Sequence, residues 1–188
     1  MTKSTAVIQT KSETALAKIF AANGSYDNKP LHLRHFKDQL QDHDMQKIMP
    51  KSYGTIDVLA ALRVGDPAIF VAISDGIQLA LDNPSIQHVL IPIGPGHWRS
   101  MCLSKPIAPE APYQLELFDP YGRKGAKAIE KTALTLLSKV GIPSHQIQIT
   151  YVGPQKPQCD GYACGDFTCA YSHQKMRDLT DGTAPYHA

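Results

Sequence analysis

The chain has 188 residues, with 19 Lys+Arg against 17 Asp+Glu and a formal net charge of +2, so no concentrated basic face marks it for nucleic acid. Its 43% hydrophobic and 19% charged content is ordinary for a folded protein and excludes wholesale disorder. No apolar run approaches the roughly 20 residues that span a bilayer, and the polar N-terminus lacks the apolar stretch of a secretory signal.

Residues 1–12 read as a flexible tail ahead of a single domain over 13–188, the size of one ordinary core. Helix formers with apolar residues at helical spacing predict a helix over 13–22, stopped by Asn23-Gly24. A second is predicted over 30–45 with Leu31, Leu33, Phe36 and Leu40 inward, and a short one over 55–62. Asp66-Pro67 punctuates, and 68–74 is then predicted as a strand.

From His88 the pattern becomes β. Residues 88–93, 98–103 and 113–118 are apolar runs separated by Pro and Gly, as expected of neighbouring strands. The clearest amphipathic helix covers 125–140, with Ala126, Ile129, Ala133, Leu136, Leu137 and Val140 on one face. Residues 146–152 alternate as a half-buried strand, and 164–176 read as a buried helix. The class is therefore α+β, a central mixed sheet flanked by helices, with no repeats.

Three distant pieces of sequence form a chemically complete set: His97-Trp98, Asp119, and Gln158 through Cys164-Gly165. A thiol needs a base, the base an acid, and a tetrahedral oxyanion needs donors. Cys164, bracketed by Gly161 and Gly165, would open a helix whose free N–H groups and dipole favour thiolate. His97 follows Gly94-Pro95-Gly96 at the start of a strand. Asp119 ends the next strand and would accept the His97 Nδ1–H, with mid-strand Glu116 the weaker candidate. Gln158, six positions before Cys164, would join the Cys164 backbone N–H in an oxyanion hole. His88, His145, His173 and His187 lack such company, and Cys169 reads as a core thiol. The order His, Asp, Gln, Cys separates the chain from papain-like enzymes, where the cysteine comes first. Four cysteines, three of them between 159 and 169, suit reduced thiols in a cytosolic setting. They could also suggest zinc, with Asp160 and His173, but their spacing matches no two-residue knuckle.

The order and the local words resemble the CE clan of cysteine proteases: the Ulp1/SENP-like ubiquitin-like proteases, adenovirus-type endopeptidases and bacterial effector deubiquitinases. His97-Trp98 is similar to the clan's His-Trp. Gln158-x-x-Gly161-x-x-Cys164-Gly165 is similar to its Gln-x-Asn-Gly-x-Asp-Cys-Gly, and Phe118-Asp119-Pro120-Tyr121-Gly122 to its acid segment. The resemblance covers 86–176 and implies the papain-related CE-clan fold with the cysteine at a buried helix N-terminus. It implies nucleophile Cys164, base His97, acid Asp119 and oxyanion donor Gln158. Trp98 would pack over a narrow Gly-Gly channel, with Gly161, Tyr162 and Gly165 lining the substrate, and 13–62 would bind the substrate's folded body. Asp160 stands where the clan usually has Asn, and Ala163 where Asp is common. The upstream channel aromatic is missing unless Tyr53 or Phe70 replaces it.

The implied activity is hydrolysis after the C-terminal Gly-Gly of ubiquitin or a ubiquitin-like modifier. The expected enzyme is a monomeric, cofactor-free and metal-free bacterial effector, cytosolic or delivered into a host cell without a Sec signal. A YopJ-type acetyltransferase on the same architecture is the alternative, although that type uses Glu as its acid. A non-catalytic ubiquitin-like binding module is the third reading.

Overall fold

The computed structural model describes residues 40, 42–61, 67–94 and 96–182. The tail expected over 1–12 and the helix over 13–22 lie outside these residues, as does most of the helix over 30–45. Within them, five strands form one mixed sheet in chain order: β1 (Ile56–Val58), β2 (His88–Ile93), β3 (Arg99–Ser104), β4 (Tyr113–Phe118) and β5 (Ile147–Val152). β1 precedes α2 (Pro67–Asp82), which crosses over to β2, while α3 (Arg123–Ala128) and α4 (Glu130–Lys139) cross from β4 to β5. Both crossovers join parallel pairs, and the two central pairings are antiparallel, because only a long connection returns a chain to a parallel neighbour. Helix α1 (Asp42–Ile48) precedes β1, and α5 (Cys164–Asp181) follows β5.

Strand alternation sorts the interior into two layers. Val89, Ile91, Met101, Leu103, Leu115 and Leu117 face one way, against Ile69, Ile73 and Ile77 of α2 and Leu136 and Leu137 of α4. Leu90 and Cys102 face the other way, against Met176 and Leu179 of α5, and Phe118 stacks on Tyr171 with ring centroids 4.2 Å apart. The β4 residue Glu116 meets the same helix: it accepts from Tyr171 Oη at 2.6 Å and from Lys175 Nζ at 2.9 Å. Helix α5 is thus fixed over one sheet face by a buried ion pair as well as by apolar packing. No helix among the described residues is long and apolar enough to cross a membrane.

Three sequence expectations fail locally. Residues 68–74, expected as a strand, lie in α2. Ile69, Ile73, Ile77 and Ala80 are its buried apolar residues, and their spacing of four, four and three is helical once the window extends past 74. The helix expected over 55–62 is the short strand β1, which pairs Ile56–Val58 with the start of β2, a tertiary contact that overrides local propensity. The single helix expected over 125–140 divides at Ile129 into α3 and α4, although Ala126, Ala133, Leu136 and Leu137 remain inward as expected.

Candidate active site

The sheet register brings the expected residues together. Ser100 pairs with Phe118 across β3 and β4, so one step outward Arg99 stands opposite Asp119. His97 lies two residues before Arg99 and shares its side of the chain. Its Nε2 lies 3.0 Å from Asp119 Oδ1. The sequence reading expected Nδ1 at the acid, and the ring is turned the other way. Its remaining nitrogen is left for the thiol of Cys164, with which the ring is hydrogen-bonded. Cys164 is the first residue of α5 and is buried.

Asp119 is wholly buried and fully satisfied. Oδ1 also accepts the Tyr121 N–H at 2.7 Å, and Oδ2 accepts Arg99 Nε at 2.6 Å. Burial alone would raise its pKa. Hydrogen bonds from His97, the Tyr121 N–H and Arg99 outweigh that and hold the carboxylate below its ordinary range. For His97, burial pushes the pKa down, but the hydrogen bonds to Asp119 and Cys164 and the Asp119 charge carry it above the ordinary imidazole value, with Arg99 opposing. Tyr121 stacks on His97 with centroids 4.6 Å apart, and its hydroxyl donates to the Asp160 carbonyl at 2.9 Å. That phenol links the histidine to the cysteine loop.

Asp160 organises this loop. Its Oδ1 accepts the N–H groups of Tyr162 at 2.9 Å and Ala163 at 2.8 Å, as a side chain capping the approach to a helix does. Those backbone donors, ahead of an opposing burial effect, lower its pKa. Gln158 is buried, and its Nε2 donates to both Asp160 O at 2.8 Å and Asp160 Oδ1 at 3.0 Å, leaving Oε1 without a partner. The amide that sequence reasoning assigned to an oxyanion is therefore held by the residue that replaces the clan's Asn.

Trp98 is buried in a cluster with Leu40, Met45, Met49, Ala61, Cys164 and Cys169, and its indole N–H donates to Leu40 O at 2.7 Å. Leu40 also explains Gly165, where an added Cβ would lie 2.8 Å from Leu40 Cβ and Cδ1. Neither suggested aromatic reaches this cluster. Tyr53 is 66% exposed, and Phe70 lies on α2 with Lys139 Nζ of α4 over its ring; Leu40 covers Trp98 instead. Gly161 is exposed, with open space where a Cβ would stand, and Tyr162 is half-buried.

Glu116 points to α5 and not to His97, so the fold assigns the β4 acid and the acid just beyond the strand to different partners. Cys169 lies 3.7 and 3.6 Å from the sulfurs of Met45 and Met49, and burial pushes its thiol up to about 12, as it does that of Cys102. Among the described residues no three His, Cys, Asp or Glu side chains are grouped to hold a metal. Sequence reasoning missed Arg99, Tyr121, Gly125 and Leu40. Arg99 was findable, since two residues after His97 on an extended segment means the same side.

A family model described as LupA, the Legionella ubiquitin-specific protease A domain, matches residues 37–188. No curated protein matches the chain. Among solved structures, the central domain of an uncharacterized Legionella pneumophila protein is 47% identical, with a TM-score of 0.71 over 79% of this chain and 81% of that one. The Xanthomonas campestris effector XopD, solved bound to ubiquitin, is 17% identical, with a TM-score of 0.57 over 87% of each chain. The yeast Ulp1 protease domain, solved in complex with the yeast ortholog of SUMO, is 16% identical, with a TM-score of 0.55 over 88% of this chain and 84% of that one. The last two share the fold, which bears out the CE-clan architecture expected from sequence. The chain belongs to the LupA family of Legionella ubiquitin-specific protease A domains.

Proposed function

We propose that this chain is a thiol isopeptidase that cleaves after the C-terminal Gly-Gly of ubiquitin or a ubiquitin-like modifier, acting as a bacterial effector in the cytosol of a host cell. The observation that carries the reading is the His97 ring, held between buried Asp119 at 3.0 Å and the Cys164 thiol at the start of α5. Cys164 gives its proton to His97 and, as thiolate at a helix N-terminus, attacks the carbonyl carbon of the terminal glycine. The tetrahedral oxyanion takes the Cys164 N–H and one Gln158 N–H, the latter exchanged from Asp160. His97 then protonates the leaving lysine amine as the C–N bond breaks. Water, deprotonated by the same ring, releases the acyl-enzyme as a free carboxylate and restores the thiol.

A Gly-Gly tail suits the space available. Trp98 and Leu40 pack with the cysteine in one cluster, and Gly161, in the loop that leads to it, has open space where a Cβ would stand. The test is covalent capture by C-terminal electrophilic probes built on ubiquitin, SUMO and NEDD8. Capture at Cys164 by at least one is expected. Capture by none, together with acetyl transfer to a protein acceptor, would overturn hydrolysis in favour of the acetyltransferase alternative.

Gly125 gives a second check on the Asp119 assignment. A Cβ there would lie 2.5 Å from Asp119 Cγ and Oδ1, so Gly125→Ala must displace a carboxylate that has no other place to go. Misplacing an orienting group by about 1 Å costs up to about 100-fold in rate, and a loss of that order in kcat/KM is expected. Circular dichroism should show the secondary structure retained, and wild-type turnover would sink the role given to Asp119.

A further inference from the structure

We propose that Arg99 is a positioning residue of this site, holding the second oxygen of Asp119 and offsetting its charge so that the His97 imidazolium can surrender its proton to the leaving amine. The inference rests on the catalytic reading of His97 and Asp119 above. Arg99 Nε lies 2.6 Å from Asp119 Oδ2, and its Nη1 reaches the His97 carbonyl at 3.4 Å. Its side chain is only 16% exposed, against a carboxylate that is fully buried. A charge-assisted contact in such a setting is far stronger than a surface ion pair.

The charge count gives the contact its consequence. Thiolate, imidazolium and carboxylate sum to −1, and with the guanidinium the buried set is neutral. A buried imidazolium facing an uncompensated carboxylate holds its proton too tightly to be a good acid. The arginine counters this without taking the histidine's acceptor, because it occupies Oδ2 while His97 and the Tyr121 N–H share Oδ1. The Arg99 charge accordingly lowers the His97 pKa against the larger upward pull of Asp119. The groups that act on the imidazole are Asp119 just beyond β4, Cys164 at the start of α5 and Arg99 of β3, with the Tyr121 ring stacked on it. All but Arg99 are unchanged in an Arg99 variant, and Asp119 keeps its Tyr121 and Gly125 constraints. Loss of the positive charge therefore decides the sign.

The test compares Arg99→Gln and Arg99→Lys with the parent chain. One readout is the pH profile of kcat/KM on the modifier that the probes capture. The other is NMR titration of the His97 ring in a Cys164→Ser background, assigned by His97→Gln. In Arg99→Gln, kcat/KM should fall about tenfold, a part of what proton transfer contributes, and His97 should titrate at higher pH. Arg99→Lys keeps the charge and should leave the His97 titration near the parent's while restoring part of the rate. An unshifted or lower His97 titration in Arg99→Gln overturns the proposal, as does parental kcat/KM or an equal shift in Arg99→Lys. Arg99→Met, which keeps the apolar stem, replaces Arg99→Gln if that variant does not melt cooperatively. The NMR readout needs no substrate, so a chain that cleaves no modifier would refute the isopeptidase reading while still deciding the role of Arg99.

Discussion

Cys164→Ala abolishes covalent capture of a ubiquitin-like C-terminal probe and lowers hydrolysis by about four to six orders of magnitude, the loss seen when a nucleophile acting with its base is removed. The fold should survive, because the change deletes one small buried side chain, at a cost of roughly 1 kcal/mol. Thermal melts of the two forms should nearly superimpose while intact-mass spectra of probe-treated protein differ completely. Two other thiols are the control. Cys169 sits among methionine sulfurs with its pKa pushed up to about 12, so Cys169→Ala should leave capture intact. Cys159 is exposed and five positions before the helix, and Cys159→Ser should do the same. Hydrolysis that persisted in Cys164→Ala, or that vanished in Cys169→Ala with the fold intact, would sink the assignment of the nucleophile.

What separates Cys164 from these neighbours was partly legible in the sequence. Gly161 and Gly165 bracket it, and an upstream His, Asp and Gln are the partners that the proposed chemistry needs. The three central strands were legible too, because apolar runs bounded by Pro and Gly leave few alternatives. Their pairing brings Arg99 and Asp119 to the same end of the sheet, one residue beyond the Ser100–Phe118 pair, and the bend at His97 then sets its ring against Asp119. The errors fall where a short window hides the period or where a distant segment decides. Residues 68–74 contain Ile69, Val71 and Ile73 in alternation, and only Ile77 and Ala80 reveal the helical repeat. Ile56–Val58 becomes a strand because β2 offers it a parallel edge.

The finer geometry of the site was not legible because it depends on contacts between segments far apart in the chain. Leu40 covers Trp98 from a distance of 58 residues, and no local pattern announces it. The ring orientation of His97 follows from where the sheet end lies relative to the start of α5, which spacing alone does not fix. Asp160 was legible as a departure from the clan pattern. That its carboxylate takes both the loop N–H groups and the Gln158 amide needed the folded loop. The same dependence separates Asp119 from Glu116. Three residues apart, one on β4 and one just past its end, they leave opposite faces, and one meets imidazole while the other meets ammonium.

The buried pair that Glu116 makes is where stability and chemistry meet. Lys175 and Glu116 are 8% and 12% exposed and lie 2.9 Å apart, and Tyr171 donates to the other carboxylate oxygen at 2.6 Å. Cys164, Tyr171 and Lys175 are seven and then four residues apart, so they share one face of α5. A carboxylate that holds Tyr171 and Lys175 thereby fixes the rotation of the helix that presents Cys164. Glu116→Leu strands an ammonium and a phenol in the interior, and removing one partner of a buried pair costs about 3–5 kcal/mol. That is a large share of the roughly 5–15 kcal/mol that stabilises a typical domain. Urea denaturation should show this loss, and probe capture should slow with it because the sulfur no longer meets His97 squarely. The double variant Glu116→Leu with Lys175→Met replaces the pair with apolar side chains and should recover most of the stability. If it recovers stability without capture, the ion pair sets the helix's rotation specifically. If Glu116→Leu alone costs less than about 1 kcal/mol, as an exposed pair would, the clamp on α5 is apolar packing and the ion pair adds nothing to the placement of Cys164.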